Sequence, residues 1–204
     1  TETEIVAAKQ TLHIAYGHTS HGSQLTDGMT GLVTFANNGG KGMTHTTDIF
    51  RWNNGGTNGA LDLHDGAMGG DVGYYPQWVN NTTNYLGVAD PITGMGTNHT
   101  DVNVIMWSWC GQAAGYSEAD MTNKYLVPMT QLEETYPNVK FIYMTCHLNG
   151  TGVNGNLNLR NEQIRNYCIA NKKILYDFAD IESYNPDGIT NYMLLRANDN
   201  CDYD

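Results

Sequence analysis

The sequence predicts an α/β fold, a doubly wound parallel sheet in three layers, and three observations point to it. Short apolar runs of strand length alternate with longer segments of helical periodicity. The strongest run, "DVNVIMWSW" (101–109), is almost continuously apolar, which suits a strand covered on both faces. Residues able to do chemistry follow directly after each run, and in a parallel sheet those positions share one edge.

The elements follow in chain order. "TLHIAYG" (11–17) reads as the first strand. Segment 23–38 places Leu25, Met29, Leu32, Val33 and Ala36 at helical spacing. A weaker strand is expected over "HTTDIFRW" (45–52), inside a Gly- and Asn-rich stretch, 39–100, that reads as an irregular lobe with a short helix near 75–86. Helix 117–136 opens on Ser117 as N-cap and carries Pro128, which kinks or splits it. "NVKFIYMTC" (138–146) is a strand, and helix 156–172 follows with Asn171 as C-cap. "KKILYDFA" (172–179) is the last strand. Right-handed crossovers between these strands give a flavodoxin-like sheet in one domain spanning 1–204.

Composition narrows the function classes. Net charge is −11, which argues against a nucleic-acid backbone as partner, since such partners need a basic stripe. No apolar stretch is long enough to span a membrane. Four cysteines, many Asn and Thr, an acidic balance and a start without Met fit a secreted, processed protein. Asn-x-Ser/Thr sequons occur at Asn80, Asn81, Asn98 and Asn149.

The strand ends carry the candidate chemistry. "GHTS" follows the first strand, "CGQ" the 101–109 run, "CHLN" the third, and Asp180, Glu182 and Asp187 follow the last. A strand running into a Gly-x-x-Ser turn and a helix resembles the first block of the SGNH/GDSL hydrolases. "WSWCGQ" resembles their later oxyanion block, and "FIYMTCHLNG", "DFADIESYNPDG" and "DNCDYD" resemble a divergent group of secreted SGNH-like proteins. The resemblance implies an ester hydrolase acting on an O-acyl, for instance acetyl, ester of a glycan. It puts Ser20 at the nucleophile, with Gly111, Gln112 and the Ser20 N–H as oxyanion donors. The family's Asp-x-x-His is missing, so the base falls to His147 or His18, oriented by Asp180, Glu182 or Asp187.

Other readings stand beside it. Cys110 could be a nucleophile paired with His147, but a Cys110–Cys146 disulfide, or two buried thiols, is the expectation. A Cys168–Cys201 bridge would pin the tail across the sheet edge. No metal or other cofactor is expected, although "LDLHDG" (Asp62, His64, Asp65) could hold a metal, "NDNCDYD" alternates Asn200, Asp202 and Asp204 like the start of a calcium loop, and His18, His21 and His147 could hold zinc. Tyr75, Trp78 and Trp109 are candidates for stacking on sugar rings. The expected partner is a glycan or small ester. The alternative is an inactive hydrolase fold reused as a glycan-binding or self-associating surface protein.

Overall fold

A computed structural model describes residues 1–42, 44–200 and 202–203. Six strands form one all-parallel sheet: β1 (His13–Gly17), β2 (Trp52–Asn53), β3 (Leu61–Met68), β4 (Val104–Trp107), β5 (Lys140–Met144) and β6 (Ile174–Tyr176). Their order is β2-β3-β1-β4-β5-β6. From β1 the chain crosses to the edge strand β2, comes back to β3 beside β1, and then places β4 on the other side of β1. The strand order therefore switches between β1 and β4, where an open α/β sheet binds its ligands.

Helices α1 (Glu2–Thr11), α2 (Ser23–Asn37), α3 (Gln77–Leu86), α4 (Glu118–Met121), α5 (Val127–Thr135), α6 (Asn156–Asn171) and α7 (Phe178–Ser183) flank the sheet. Alternation along β4 divides the core. Ile105 and Trp107 pack with Trp78, Tyr125 and Ile164 from α3, the α4–α5 region and α6. Met106 joins Tyr16, Leu25 and Phe178 on the face of α2 and α7.

Ser117 caps α4 through a reciprocal capping box with Asp120. A π-turn over Thr122–Leu126 then separates α4 from α5, which carries Pro128 in its first turn. Pro128 has no N–H to give the Lys124 carbonyl four residues back, and the Trp78 indole Nε1 donates to that carbonyl instead, at 3.1 Å.

Several sequence expectations are corrected. The stretch 39–100 contributes β2, β3 and α3 to the sheet architecture, and the strand expected at 45–52 shrinks to Trp52–Asn53. Helix α6 ends on Lys172 in the left-handed region (φ 53°), while Asn171 instead donates its side-chain amide to the Tyr167 carbonyl. Among the described residues there is no disulfide, and Cys110, Cys146 and Cys168 are free thiols. Cys168 lies in the last turn of α6, whose end leads into the start of β6, whereas residues 198–199 lie at the opposite edge, against Asn149 and His21. Cys201 lies outside the described residues.

A bidentate pair ties α6 to the β6–α7 junction. Arg165 donates to both Asp177 oxygens at 2.7 Å, and Thr145 Oγ1 donates to the same carboxylate at 2.9 Å. Burial alone would raise the Asp177 pKa, but the Arg165 hydrogen bonds and charge outweigh it and hold it below its ordinary value. A depressed folded-state pKa contributes stability above the unfolded value, near 3.9, and loses it as pH falls through the folded value. Urea melts from pH 5 downward should therefore show a stability loss beginning near pH 4. Asp177→Asn should lower stability at pH 5 and flatten that slope; an unchanged slope would mean the pair does not couple to folding.

Candidate active site

The switch point is built from close packing at two glycines. A Cβ on Gly17 would lie 2.5 Å from the Trp107 ring, and one on Gly22 would lie 2.3 Å from Ser108 Oγ. These approaches let the turn His18–Gly22 sit directly over the end of β4. Ser108 N–H donates to Gly17 O at 3.0 Å, and the Tyr16 hydroxyl donates to Gly22 O at 3.0 Å. Trp109 then anchors the chain through its indole N–H to Met144 O, at 3.0 Å. Cys110 follows in extended conformation at the head of a 3-10 turn, Gly111–Gly115.

Cys110, half-buried, meets the turn after β1. Its Sγ lies 3.2 Å from His21 Nδ1 and 3.6 Å from Ser20 Oγ. The other nitrogen of His21, Nε2, lies 2.7 Å from Asp199 Oδ2. Asp199 is delivered by the tail, which a bridge between Asn149 and Asn198 holds across the segment after β5. Sulfur, imidazole and carboxylate thus stand in line, the geometry of an activated nucleophile with an oriented base.

The electrostatics agree. Burial would push the Cys110 thiol up, but hydrogen bonds from Ser20, His21 and the Gly111 N–H outweigh it and bring its pKa below the ordinary value. Burial opposes protonation of His21, yet its bonds to Cys110 and Asp199 raise its pKa above normal. By contrast, burial pushes the thiols of Cys146, well up, and Cys168, to about 12.

His147 lies beneath His21, ring on ring, with centroids 4.1 Å apart and planes within 6°. It is 7% exposed, and burial lowers its pKa. Its Nδ1 lies 2.6 Å from Leu148 O, and its Nε2 is buried with no hydrogen-bond partner among the described residues. Glu182 accepts the Leu148 N–H at 2.7 Å; burial, aided by the charge of Asp199, raises its pKa to about 7.

The remaining candidates fall around this line or away from it. Ser20 is exposed, and Cys110 Sγ is the contact its Oγ makes among the described residues; neither His18 nor His147 reaches it as a base. His18 turns to Asp65, at 2.7 Å, and stacks on Tyr16. Gly111 lies beside the sulfur, while the Gln112 amide donates to buried Asp71 at 3.3 Å, which also accepts from Thr19 Oγ1 at 2.8 Å. Asp180 and Asp187 are exposed on and after α7; Glu182 alone of the three acids reaches the site. Trp78 and Trp109, expected to stack on sugars, are core residues at 1% and 2% exposure, because both indole N–H groups are consumed by backbone carbonyls. Tyr75 is exposed, at 46%.

The expected metal clusters rearrange. "LDLHDG" splits: Asp62 takes His13 and His64 near the start of the sheet, and Asp65 takes His18 at its end. In the tail, Asn198 Oδ1 accepts the N–H groups of Asn200 and Asp202 at 2.9 and 3.1 Å, and Asp204 lies outside the described residues. His18 stands apart from the zinc set, whereas His21 and His147 are joined by Asp199; one ligand atom from each lies within 4.8 Å of the other two. Of the three residues in this line, Cys110 and His21 are among the sequence candidates and Asp199 is not.

Comparison with family models, curated proteins and solved structures finds no match for this chain.

Proposed function

We propose that this chain hydrolyses an acyl ester through a covalent intermediate on Cys110. The observation that carries the reading is the line Cys110 Sγ, His21, Asp199, at 3.2 and 2.7 Å. It keeps the ester chemistry implied by the SGNH resemblance and moves the nucleophile from the turn after β1 to the chain after β4.

In the first half-reaction the Cys110 thiolate attacks the ester carbonyl carbon. The tetrahedral adduct collapses, the C–O bond breaks, and the leaving alcohol takes the proton held by His21 Nδ1. In the second, water attacks the thioester and gives a proton to His21. The acid departs, and the thiolate–imidazolium pair is restored. Asp199 holds the His21 ring and favours its charged form. Ser20 is a hydroxyl donor beside the sulfur.

A cavity of about 480 Å³ adjoins Asp199, bounded by Glu182 and Gln24 with Phe178, Tyr184 and Tyr192. Its aromatic side chains, Phe178, Tyr184, Tyr192 and Tyr203, and the net charge of −11 favour an uncharged substrate body, such as a neutral sugar ester, over an anionic one.

The test is to trap the intermediate. After mixing with p-nitrophenyl acetate or butyrate and quenching in acid, peptide mapping by mass spectrometry should find one acyl group, on Cys110. An acyl group on Ser20, or neither turnover nor adduct with both esters, overturns the reading.

A further inference from the structure

We propose that His21, His147 and Asp199 form a binding site for one divalent transition-metal ion of the zinc class, and that bound metal and the thiol reaction exclude one another. The exclusion rests on the function proposed above; the site itself does not.

Two independent observations carry it. The first is the cluster: one ligand atom from each of the three residues lies within 4.8 Å of the others, and the set of two imidazoles and a carboxylate suits zinc. The second is His147. Its Nδ1 faces the Leu148 carbonyl at 2.6 Å, and a carbonyl can only accept. The Nδ1–H therefore donates, which leaves the lone pair of the neutral ring on Nε2. That Nε2 is buried, in a side chain 7% exposed, without a hydrogen-bond partner among the described residues. A buried, unpaired imidazole nitrogen is costly, and a metal ion is a partner that such a lone pair can take. The backbone bond at Nδ1 is also the arrangement that orients ligating histidines.

The geometry needs only local movement. Tetrahedral bonds of about 2.0–2.1 Å set ligand atoms roughly 3.4 Å apart, so the widest pair closes by up to about 1.4 Å. The stacked rings of His21 and His147 turn toward the ion, and Asp199 moves slightly away from His21. A metal on His21 Nε2 displaces the Asp199 hydrogen bond and leaves the ring proton on Nδ1, facing Cys110. His21 then cannot act as the proton acceptor, so the loaded protein is inactive as a thiol hydrolase.

The test uses the full chain carrying Cys110→Ala, so neither thiolate ligation nor turnover enters the binding measurement. Calorimetric titration with Zn²⁺ should show one ion per chain, and Co²⁺ should give the visible absorption of a tetrahedral site. Adding His147→Gln should weaken Zn²⁺ affinity at least about tenfold, and Asp199→Asn, on the half-exposed tail, provides a second variant of the same expected effect. Circular dichroism melts establish that each variant is folded. No binding to the Cys110→Ala chain, or equal affinity in the folded His147→Gln and Asp199→Asn variants, overturns the site. If Zn²⁺ binds as expected and the intact protein turns over esters equally well when saturated, the site stands and the exclusion fails. If Zn²⁺ binds and the acyl-trapping experiment finds nothing on Cys110, the site stands and the thiol reading fails.

Discussion

Cys110→Ala should reduce ester turnover at least about 10³-fold, while Ser20→Ala should reduce it less than about tenfold. The first figure corresponds to about 4 kcal/mol of transition-state stabilisation. The asymmetry follows from what each side chain touches. The Ser20 hydroxyl and an imidazole at 3.2 Å together hold the Cys110 thiol pKa down, and that imidazole, a base, has a carboxylate at 2.7 Å behind it. Ser20 Oγ has the sulfur at 3.6 Å as its contact, and a hydroxyl without a base is a weak nucleophile at neutral pH. Losing the Ser20 hydroxyl removes one donor to the thiolate, which moves reactivity modestly. His21→Ala should cost about 10²–10⁴-fold, because it removes both the partner of the thiolate and the proton donor to the leaving alcohol. Steady-state kinetics on p-nitrophenyl butyrate, with melts to establish folding, measure all three. If Ser20→Ala is the inactive variant and Cys110→Ala is active, the nucleophile returns to the position implied by the SGNH resemblance.

The difference between what the residues disclosed and what they concealed is physical. Strands β1, β4 and β5 were legible because both of their faces meet helices, so apolar runs survive there without interruption. β3 was not, because "LDLHDGAM" is interrupted by polar residues that lie against imidazoles: Asp62 beside His13 and His64, and Asp65 beside His18. The hydrophobic pattern fails where a strand carries polar side chains that find polar partners. Helix α1 has no buried residue and hence no stripe to find; its readable signal was the capping box of Thr1 and Glu4. At the site, a parallel sheet guaranteed that residues after β1, β4 and β5 would converge, which brought His21, Cys110 and His147 into view together. Asp199 was hidden because it lies 178 residues from His21 in a tail without regular structure. Tryptophans are ambiguous in composition, since the same ring serves a core or a sugar platform. Here the indole N–H groups of Trp78 and Trp109 meet buried carbonyls.

Gly17→Ala should be among the most damaging single-atom additions to this chain, with a stability loss of about 3 kcal/mol. The new Cβ would lie 2.5 Å from Cε3 and Cζ3 of Trp107. Trp107 has nowhere to go: it is 0% exposed, its Nε1 donates to buried Thr82 Oγ1 at 2.9 Å, and its ring packs edge-on against Trp78. Gly17 cannot retreat freely either, because its carbonyl accepts the Ser108 N–H and its strand is paired with both β3 and β4. The strain must open the β1–β4 seam, and that seam is where His21 meets Cys110. Turnover should therefore fall together with stability, and the melting temperature should drop by roughly 6–12 °C at this chain length. Gly28, exposed in the middle of α2, supplies the contrast. No atom lies within 4 Å of a Cβ there, so Gly28→Ala should instead stabilise by about 0.5–1 kcal/mol through helix propensity. Urea melts of the two variants measure the difference in sign. A Gly17→Ala protein as stable as its parent would mean that the Trp107 ring can swing aside, and the packing that holds the two halves of the site together would be looser than these distances imply.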